Sequence, residues 1–489
     1  MTNATNWIAR SVSRLRSAAT ADASGDSGTV APAPRKSGVQ RTTHERLQAT
    51  LRRGHEALSP RALRKLLADL QAAAAVQVSE VEGARHAQAV AVWYAQAQPE
   101  ERQDVWWLLC EQFASDPVRV QAARQGYEVA VGTEDEAQAE IALRRALVSP
   151  RIRLLQRFAV FPGGMRFLVD LRAELLPRLK ADKRLLALDA DLEQLFSTWF
   201  DVAFLELRRL SWDSPASLLE KLIQYEAVHD IRSWGDLKNR LDSDRRCYGF
   251  FHPNLPNEPL IFVEVALVES LSNSITPLLD EAAAPADISR ASTAIFYSIS
   301  NTQTGLRGVS FGDSLIKHVV ETLSAEFPRL RTFATLSPIP GFRSWLNKQA
   351  SARWESLTEK RRAELSKAVG VVAPQTLEVT HLLAALDKPL ELDAKSALGQ
   401  WLLHCAAHYL ACELQAGKPL DPVARFHLGN GARVERLNWA GDPSAKGIKQ
   451  SYGLMVNYLY DLKRIDKHRA QLAQGRVAVS REIEGLCRG

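Results

Sequence analysis

The spacing of apolar residues changes rhythm partway along the chain. From about residue 42 to about 190 they recur three and four apart, the mark of amphipathic helices, with no β-prone run between them. Helices are expected over 44–58, 61–75, 134–147, 151–161 and 165–179, and another opens at Pro99. Ser59 and Pro60 supply an N-cap and a first-turn proline, and Pro150 opens a later helix. The stretches 192–210 and 216–226 also read as helix, the first apolar on more than one side. From Arg245 the character changes. The run 245–253 is aromatic and basic, and 260–267, 294–300 and 330–336 are apolar runs of strand length. Beyond Phe342 helix returns to about 416, a strand is expected over 432–439, and the closing helices take in Tyr458 and Tyr460. The expected fold is multidomain, all-α then α/β: a tail over 1–40, a helical bundle over 41–190, and an α/β domain with extra helices over 191–489.

The stretch 294–342 organises the second half: strand, loop, helix, strand, rigid loop. Gly305, Gly308 and Gly312 let the loop turn tightly. Asp313 is a good N-cap, Leu315, Ile316, Val319, Val320 and Leu323 follow at helical spacing, and Pro328 stops the helix. A glycine-rich loop feeding a helix N-terminus can hold phosphate, because backbone N–H groups and the positive dipole end point the same way. Two parallel strands around that helix would open a cleft at their carboxyl ends, with Ser310 and Ser337 beside it.

Composition narrows the class. With 489 residues the chain is too long for one core. The net charge of +6 lies partly in the first 40 residues, which gives no reason to propose nucleic acid as a partner. No run of about 18 apolar residues occurs, which argues against a membrane span. The five cysteines show no CxxC spacing and suit free thiols in a reducing compartment. Trp7, Ile8, Val12 and Leu15 share a helical face with Arg10, Arg14 and Arg16 nearby, so the first residues read either as a disordered tail or as a mitochondrial targeting segment. Arginine exceeds lysine, as in GC-rich bacteria, and this tips the expectation toward bacterial cytoplasm over mitochondrial matrix.

Candidate chemistry sorts by geometry. The run from Gly308 to Gly312 fits G-x-S-x-G, but Ser310 lies too far beyond its strand for a nucleophile elbow, and a phosphate-cradling loop fits better. His404 and His408 are four apart, yet Cys405 stands where a zincin needs glutamate, and apolar neighbours favour packing. Ser337 follows an apolar strand and precedes Pro338, Ile339, Pro340 and Gly341, which fix the loop and aim its hydroxyl. His427 sits between Phe426 and a Gly-Asn-Gly turn.

The runs AIFYSIS, GLRGVSFGDSLIKHVV, LSPIPGF, PVARFHLGNGA and GLMVNYLY, in that order, resemble malonyl-CoA decarboxylases. The likeness covers most of the chain beyond about residue 60. It implies a helical bundle and a catalytic domain like the GCN5-related acetyltransferases; a helical bundle with no site of its own invites assembly as a homodimer or homotetramer. It also implies a carboxy-lyase that converts malonyl-CoA to acetyl-CoA without metal or organic cofactor and sets the malonyl-CoA level in fatty acid metabolism. By the same resemblance Arg307, Gly308, Val309, Ser310, Phe311, Gly312 and Asp313 hold the CoA pyrophosphate, with serine replacing the middle glycine of the acetyltransferase pattern. Ser337 and His427 match the catalytic serine and histidine, and Tyr460 a tyrosine lining the site. The alternatives are an acyltransferase on the same fold, which needs a second substrate, and a non-catalytic acyl-CoA sensor.

Overall fold

The computed structural model describes residues 57–309, 315–369 and 379–488. The expectations for the tail over 1–40, for most of the helix over 44–58, and for Ser310, Phe311, Gly312 and Asp313 lie outside the described residues. Eight helices come first: α1 (Pro60–Ala74), α2 (Glu80–Gln96), α3 (Pro99–Gln112), α4 (Pro117–Ala130), α5 (Glu136–Leu147), α6 (Pro150–Val160), α7 (Gly164–Leu175) and α8 (Leu186–Trp199). Four begin with proline at the first helical position, where the missing N–H costs nothing, and Ser59 caps α1 by accepting from Ala62 N–H. Gly163, at φ 85°, turns the chain into α7. Leu63, Leu66, Leu108, Leu154, Leu168 and Phe196 fill the core between these helices.

A mixed sheet follows: β1 (Glu206–Leu210), α9 (Ala216–Tyr225), α10 (Trp234–Arg240), β2 (Arg245–Phe251), β3 (Pro259–Val268), β4 (Thr293–Asn301), α11 (Leu315–Glu326), β5 (Thr332–Thr335) and β6 (Ser337–Pro338). Then come α12 (Phe342–Glu355), α13 (Glu359–Ala368), α14 (Val379–Ala385), α15 (Ala397–Ala411), a ribbon of β7 (Leu414–Gln415) and β8 (Lys418–Pro419), α16 (Pro422–Gly429), β9 (Arg433–Asn438), α17 (Ala445–Ser451), β10 (Met455–Leu459), α18 (Ile465–Ala473) and α19 (Arg481–Arg488). The large sheet runs β1-β2-β3-β4-β5-β10-β6, with β9 also paired to β10. The expected order, helices and then an α/β domain with extra helices, is what the chain forms.

Among the described strand pairs only β4 and β5 are parallel. Their register ends at Phe296 opposite Thr335, closed by Leu336 N–H donating to Phe296 carbonyl oxygen at 3.0 Å. Beyond that point β4 continues beside β3, while the other chain passes to β6 and pairs with β10. The sheet therefore opens where the sequence places a cleft. Arg246 of β2 donates to the Glu326 carboxylate at the end of α11, which fixes that helix over the sheet.

Three expectations need correction. The helix read over 192–210 ends at Trp199, and Glu206–Leu210 is a strand. Its register against β2, from Glu206 opposite Phe251 to Leu210 opposite Cys247, overrides the weak helical preference of a short Arg- and Leu-rich run. The second parallel strand is shorter than 330–336, and Ser337 lies on β6, not in a loop. Tyr458 belongs to β10 and Tyr460 follows it directly, not a closing helix. Tyr452 and Gly453, both at positive φ, turn the chain into β10, which pairs with β9 along one edge and with β5 and β6 along the other.

Candidate active site

Ser337 and His427 come from segments 90 residues apart and meet at the sheet opening. Ser337 is placed by β6, held to β10 with Ser337 opposite Val456. His427 is placed by α16. Asp421 caps that helix: one carboxylate oxygen accepts from the N–H groups of Val423 and Ala424, both at 2.9 Å. The other accepts from Tyr409 hydroxyl at 3.4 Å, and Gly341 N–H, just after the SPIP loop, also donates to Asp421. Asp421 thus ties the helix of His427 to the loop behind Ser337. Gly341 admits no side chain there, since a Cβ would fall 2.3 Å from the Tyr409 hydroxyl.

Both residues are nearly sealed from solvent, Ser337 at 5% and His427 at 4% exposure. Ser337 Oγ donates to Thr335 Oγ1 at 2.8 Å and lies 3.3 Å from His427 Nε2. Thr335 Oγ1 also accepts from Tyr458 N–H at 3.1 Å. On the far side of the imidazole, Tyr460 hydroxyl lies 2.8 Å from Nδ1. With the serine proton given to Thr335, Ser337 Oγ is left to accept from His427, which assigns the histidine proton to Nε2 and makes Nδ1 the acceptor of the Tyr460 hydroxyl. The imidazole therefore presents a donor toward Ser337. Burial alone pushes His427 down to about 3, so the ring is neutral at physiological pH. Burial also raises the Tyr460 phenol, which keeps its proton. The Tyr458 ring stacks on the imidazole at 4.7 Å, and its buried hydroxyl has no hydrogen-bond partner.

Among the described residues His427 pairs with Ser337 and Tyr460, neither of them a carboxylate; Tyr460 stands where an acidic partner would. That differs from a serine-hydrolase triad, in which serine gives its proton to a histidine oriented by an acid. Of the binding residues expected from the sequence, Arg307, Gly308 and Val309 leave β4 as part of a tight turn. A cavity of about 220 Å³ opens beside Tyr460, between α11 and α18, with Lys317, Asn430 and Arg469 on its wall. A larger groove of about 1040 Å³ also reaches Tyr460, but it lies by Thr293 and Thr332, at the opposite end of the parallel pair from Ser337. His404 and His408 take ordinary partners: Nδ1 of the first donates to Leu486 carbonyl oxygen at 2.7 Å, and Nε2 of the second lies 3.2 Å from Glu413. Among the described residues no group of three or more His, Cys, Asp and Glu is disposed to hold a metal. No described helix is long and apolar enough to cross a membrane. No disulfide joins any of the five cysteines within the chain.

Sequence reasoning missed Thr335, Asp421 and Tyr458. Thr335 was visible only as the residue two before Ser337 on the same strand edge. Asp421 carried a signal, an N-cap residue followed by proline. Tyr458 alternates with Tyr460, and a strand reading of that run would have found it.

A sealed serine–imidazole–phenol chain, uncharged and proton-bearing, lies at the opening of a parallel strand pair, an arrangement able to donate hydrogen bonds and to pass protons. Comparison with known proteins gives the family. The family models for the malonyl-CoA decarboxylase N-terminal and C-terminal domains match residues 113–200 and 203–489. The mitochondrial malonyl-CoA decarboxylase of Anser anser anser is 38% identical over 380 residues, 74% of this chain and 75% of the relative. The crystal structure of malonyl-CoA decarboxylase from Rhodopseudomonas palustris, 41% identical, superposes with a TM-score of 0.74 over 86% of this chain and 99% of that one. The corresponding structure from Cupriavidus metallidurans is 43% identical, with a TM-score of 0.70 over 87% and 100%. The chain belongs to the malonyl-CoA decarboxylase family.

Proposed function

We propose that the protein converts malonyl-CoA to acetyl-CoA and CO2. The observation that carries this reading is the buried chain from Thr335 through Ser337 and His427 to Tyr460. When the C–C bond to the carboxylate breaks, its electron pair passes to C2 and onto the thioester oxygen. That oxygen needs a preformed donor in a site poor in water, where a hydrogen bond is electrostatically stronger. The neutral His427, with its proton on Nε2, is such a donor. It either holds the enolate oxygen or delivers the proton to C2, and solvent restores that proton after release. Ser337 orients the malonyl carboxylate and shares protons with His427. A lone hydroxyl is a poor base, and this serine directs its hydrogen to Thr335, so its role is positioning. Tyr460 keeps the imidazole in the working tautomer. Arg307, Gly308, Val309, Ser310, Phe311, Gly312 and Asp313 hold the CoA pyrophosphate ahead of α11. The thioester serves as electron sink, so the chemistry calls on no metal or organic cofactor, and the enzyme lowers malonyl-CoA available to fatty acid metabolism.

We further propose assembly as a homodimer or homotetramer through the helical region. The support is the α4–α5 hairpin: α4 buries only Ala130, α5 buries nothing, and Val118, Val129 and Val131 stand exposed. Light scattering of purified protein tests this, and a strictly monomeric mass would overturn it. The activity itself is tested by turnover of malonyl-CoA with no metal or cofactor added. Acetyl-CoA and CO2 in equal amounts are expected; binding without product would overturn it.

A further inference from the structure

The bond that turns an imidazole about Cβ–Cγ joins a tetrahedral to a planar carbon, and its minima are broad. The helix that carries His427 fixes the backbone and leaves that torsion soft. Two hydrogen-bond contacts restrain it, Tyr460 hydroxyl at 2.8 Å from Nδ1 and Ser337 Oγ at 3.3 Å from Nε2. The longer and weaker of the two is on the side where the chemistry takes place. A third restraint is the Tyr458 ring, whose centroid lies 4.7 Å from that of the imidazole with the planes 26° apart. Phe426 and Tyr460 meet the imidazole edge-on, at 76° and 74°. Among the described residues Tyr458 is therefore the one aromatic ring that lies along the imidazole plane, so any turn about Cβ–Cγ drives the edge of His427 into it.

The strand is built to hold Tyr458 there. The pairing of β10 with β9 shifts register between Asn457 and Tyr458, an irregularity of the kind that re-aims a side chain. The two neighbours grip Thr335 from both ends: Asn457 Nδ2 donates to its carbonyl oxygen at 2.7 Å, and Tyr458 N–H to its Oγ1 at 3.1 Å. Thr335 is the residue that takes the Ser337 proton. Tyr458 thus touches both arms of the site, Thr335 through its backbone and His427 through its ring. The residue is fully buried, and its hydroxyl has no hydrogen-bond partner. A phenol buried in that way costs stability, so the contribution of Tyr458 lies in the flat ring and not in the hydroxyl.

We propose that Tyr458 is a positioning residue for the decarboxylation: its ring, laid along the imidazole, holds His427 in the plane from which Nε2 addresses the substrate. This rests on the reading of His427 as the donor in malonyl-CoA decarboxylation. Tyr458 touches no reacting atom, so its effect falls on kcat and not on the affinity for substrate.

The test measures kcat and KM for malonyl-CoA in the full-length protein, in Tyr458→Leu and in Tyr458→Phe, with urea unfolding of each. Tyr458→Leu removes the flat face, and kcat is expected to fall about tenfold with KM within about twofold of the parent. Tyr458→Phe keeps the ring, and it is expected to recover kcat to within about twofold of the parent with an unfolding midpoint no lower. If Tyr458→Leu does not fold, Tyr458→Met fills the space without a flat face, and the same loss is expected. Parental kcat in the aliphatic variant, an equal loss in Tyr458→Phe, or a rise in KM without a fall in kcat would overturn the proposal. If the parent protein itself releases no CO2 from malonyl-CoA, the reading of His427 fails, whichever residue stands at position 458.

Discussion

Replacing Tyr460 by phenylalanine removes one hydroxyl and leaves the ring. The hydroxyl is buried and donates to His427 Nδ1 at 2.8 Å. Its loss leaves that nitrogen as a buried acceptor with no donor, a cost of about 1–3 kcal/mol. The cost falls on the tautomer that carries its proton on Nε2, the one facing Ser337. At about 1.4 kcal/mol per factor of ten, kcat should fall by about 5- to 100-fold. KM should stay within about twofold, because the hydroxyl lies behind the imidazole and away from Ser337. Steady-state kinetics on malonyl-CoA, paired with urea unfolding, reads both quantities. An unchanged kcat beside lost stability would show that Tyr460 does not set the tautomer. A fall of about ten-thousandfold would make Tyr460 the proton donor itself and refute its assignment as a support.

Other consequences follow from the same geometry. Because His427 titrates near 3 in the folded chain and near its ordinary 6.5 unfolded, the unfolded state binds the extra proton between those values; stability should fall as pH drops through that window, and His427→Asn should flatten the slope in urea unfolding. For the same reason kcat/KM should show no inflection from His427 near pH 6.5, and one there that vanishes in His427→Asn would contradict the neutral ring. Asp421→Ala removes the cap of α16 and the tie to Gly341 and Tyr409; a loss of about 2–3 kcal/mol in unfolding free energy and a lower kcat are expected, and a variant with parental kcat would contradict the role given to that tie.

The strand pair and crossover helix at the centre of the fold were legible because their signals are local. An apolar run, a helical repeat and a proline stop each act over a few residues. The segments that carry Ser337 and His427 stood out for the same reason, although the first is strand and the second helix. What could not be read depends on partners distant in sequence. Glu206–Leu210 becomes a strand only because β2 offers an edge. The run from Met455 is too short for its period to separate strand from buried helix, and β5, β6 and β9 decide it. Tyr460, the phenol that meets His427 Nδ1, comes from that same misread run.

The most direct test of the central claim is turnover of malonyl-CoA by the parent protein, Ser337→Ala and His427→Asn, with substrate binding measured on the same samples. The account predicts acetyl-CoA and CO2 from the parent, a loss of kcat of at least about a hundredfold in both variants, and binding within about tenfold of the parent. Parental turnover in either variant, or a parent that binds malonyl-CoA and releases no CO2, would contradict it.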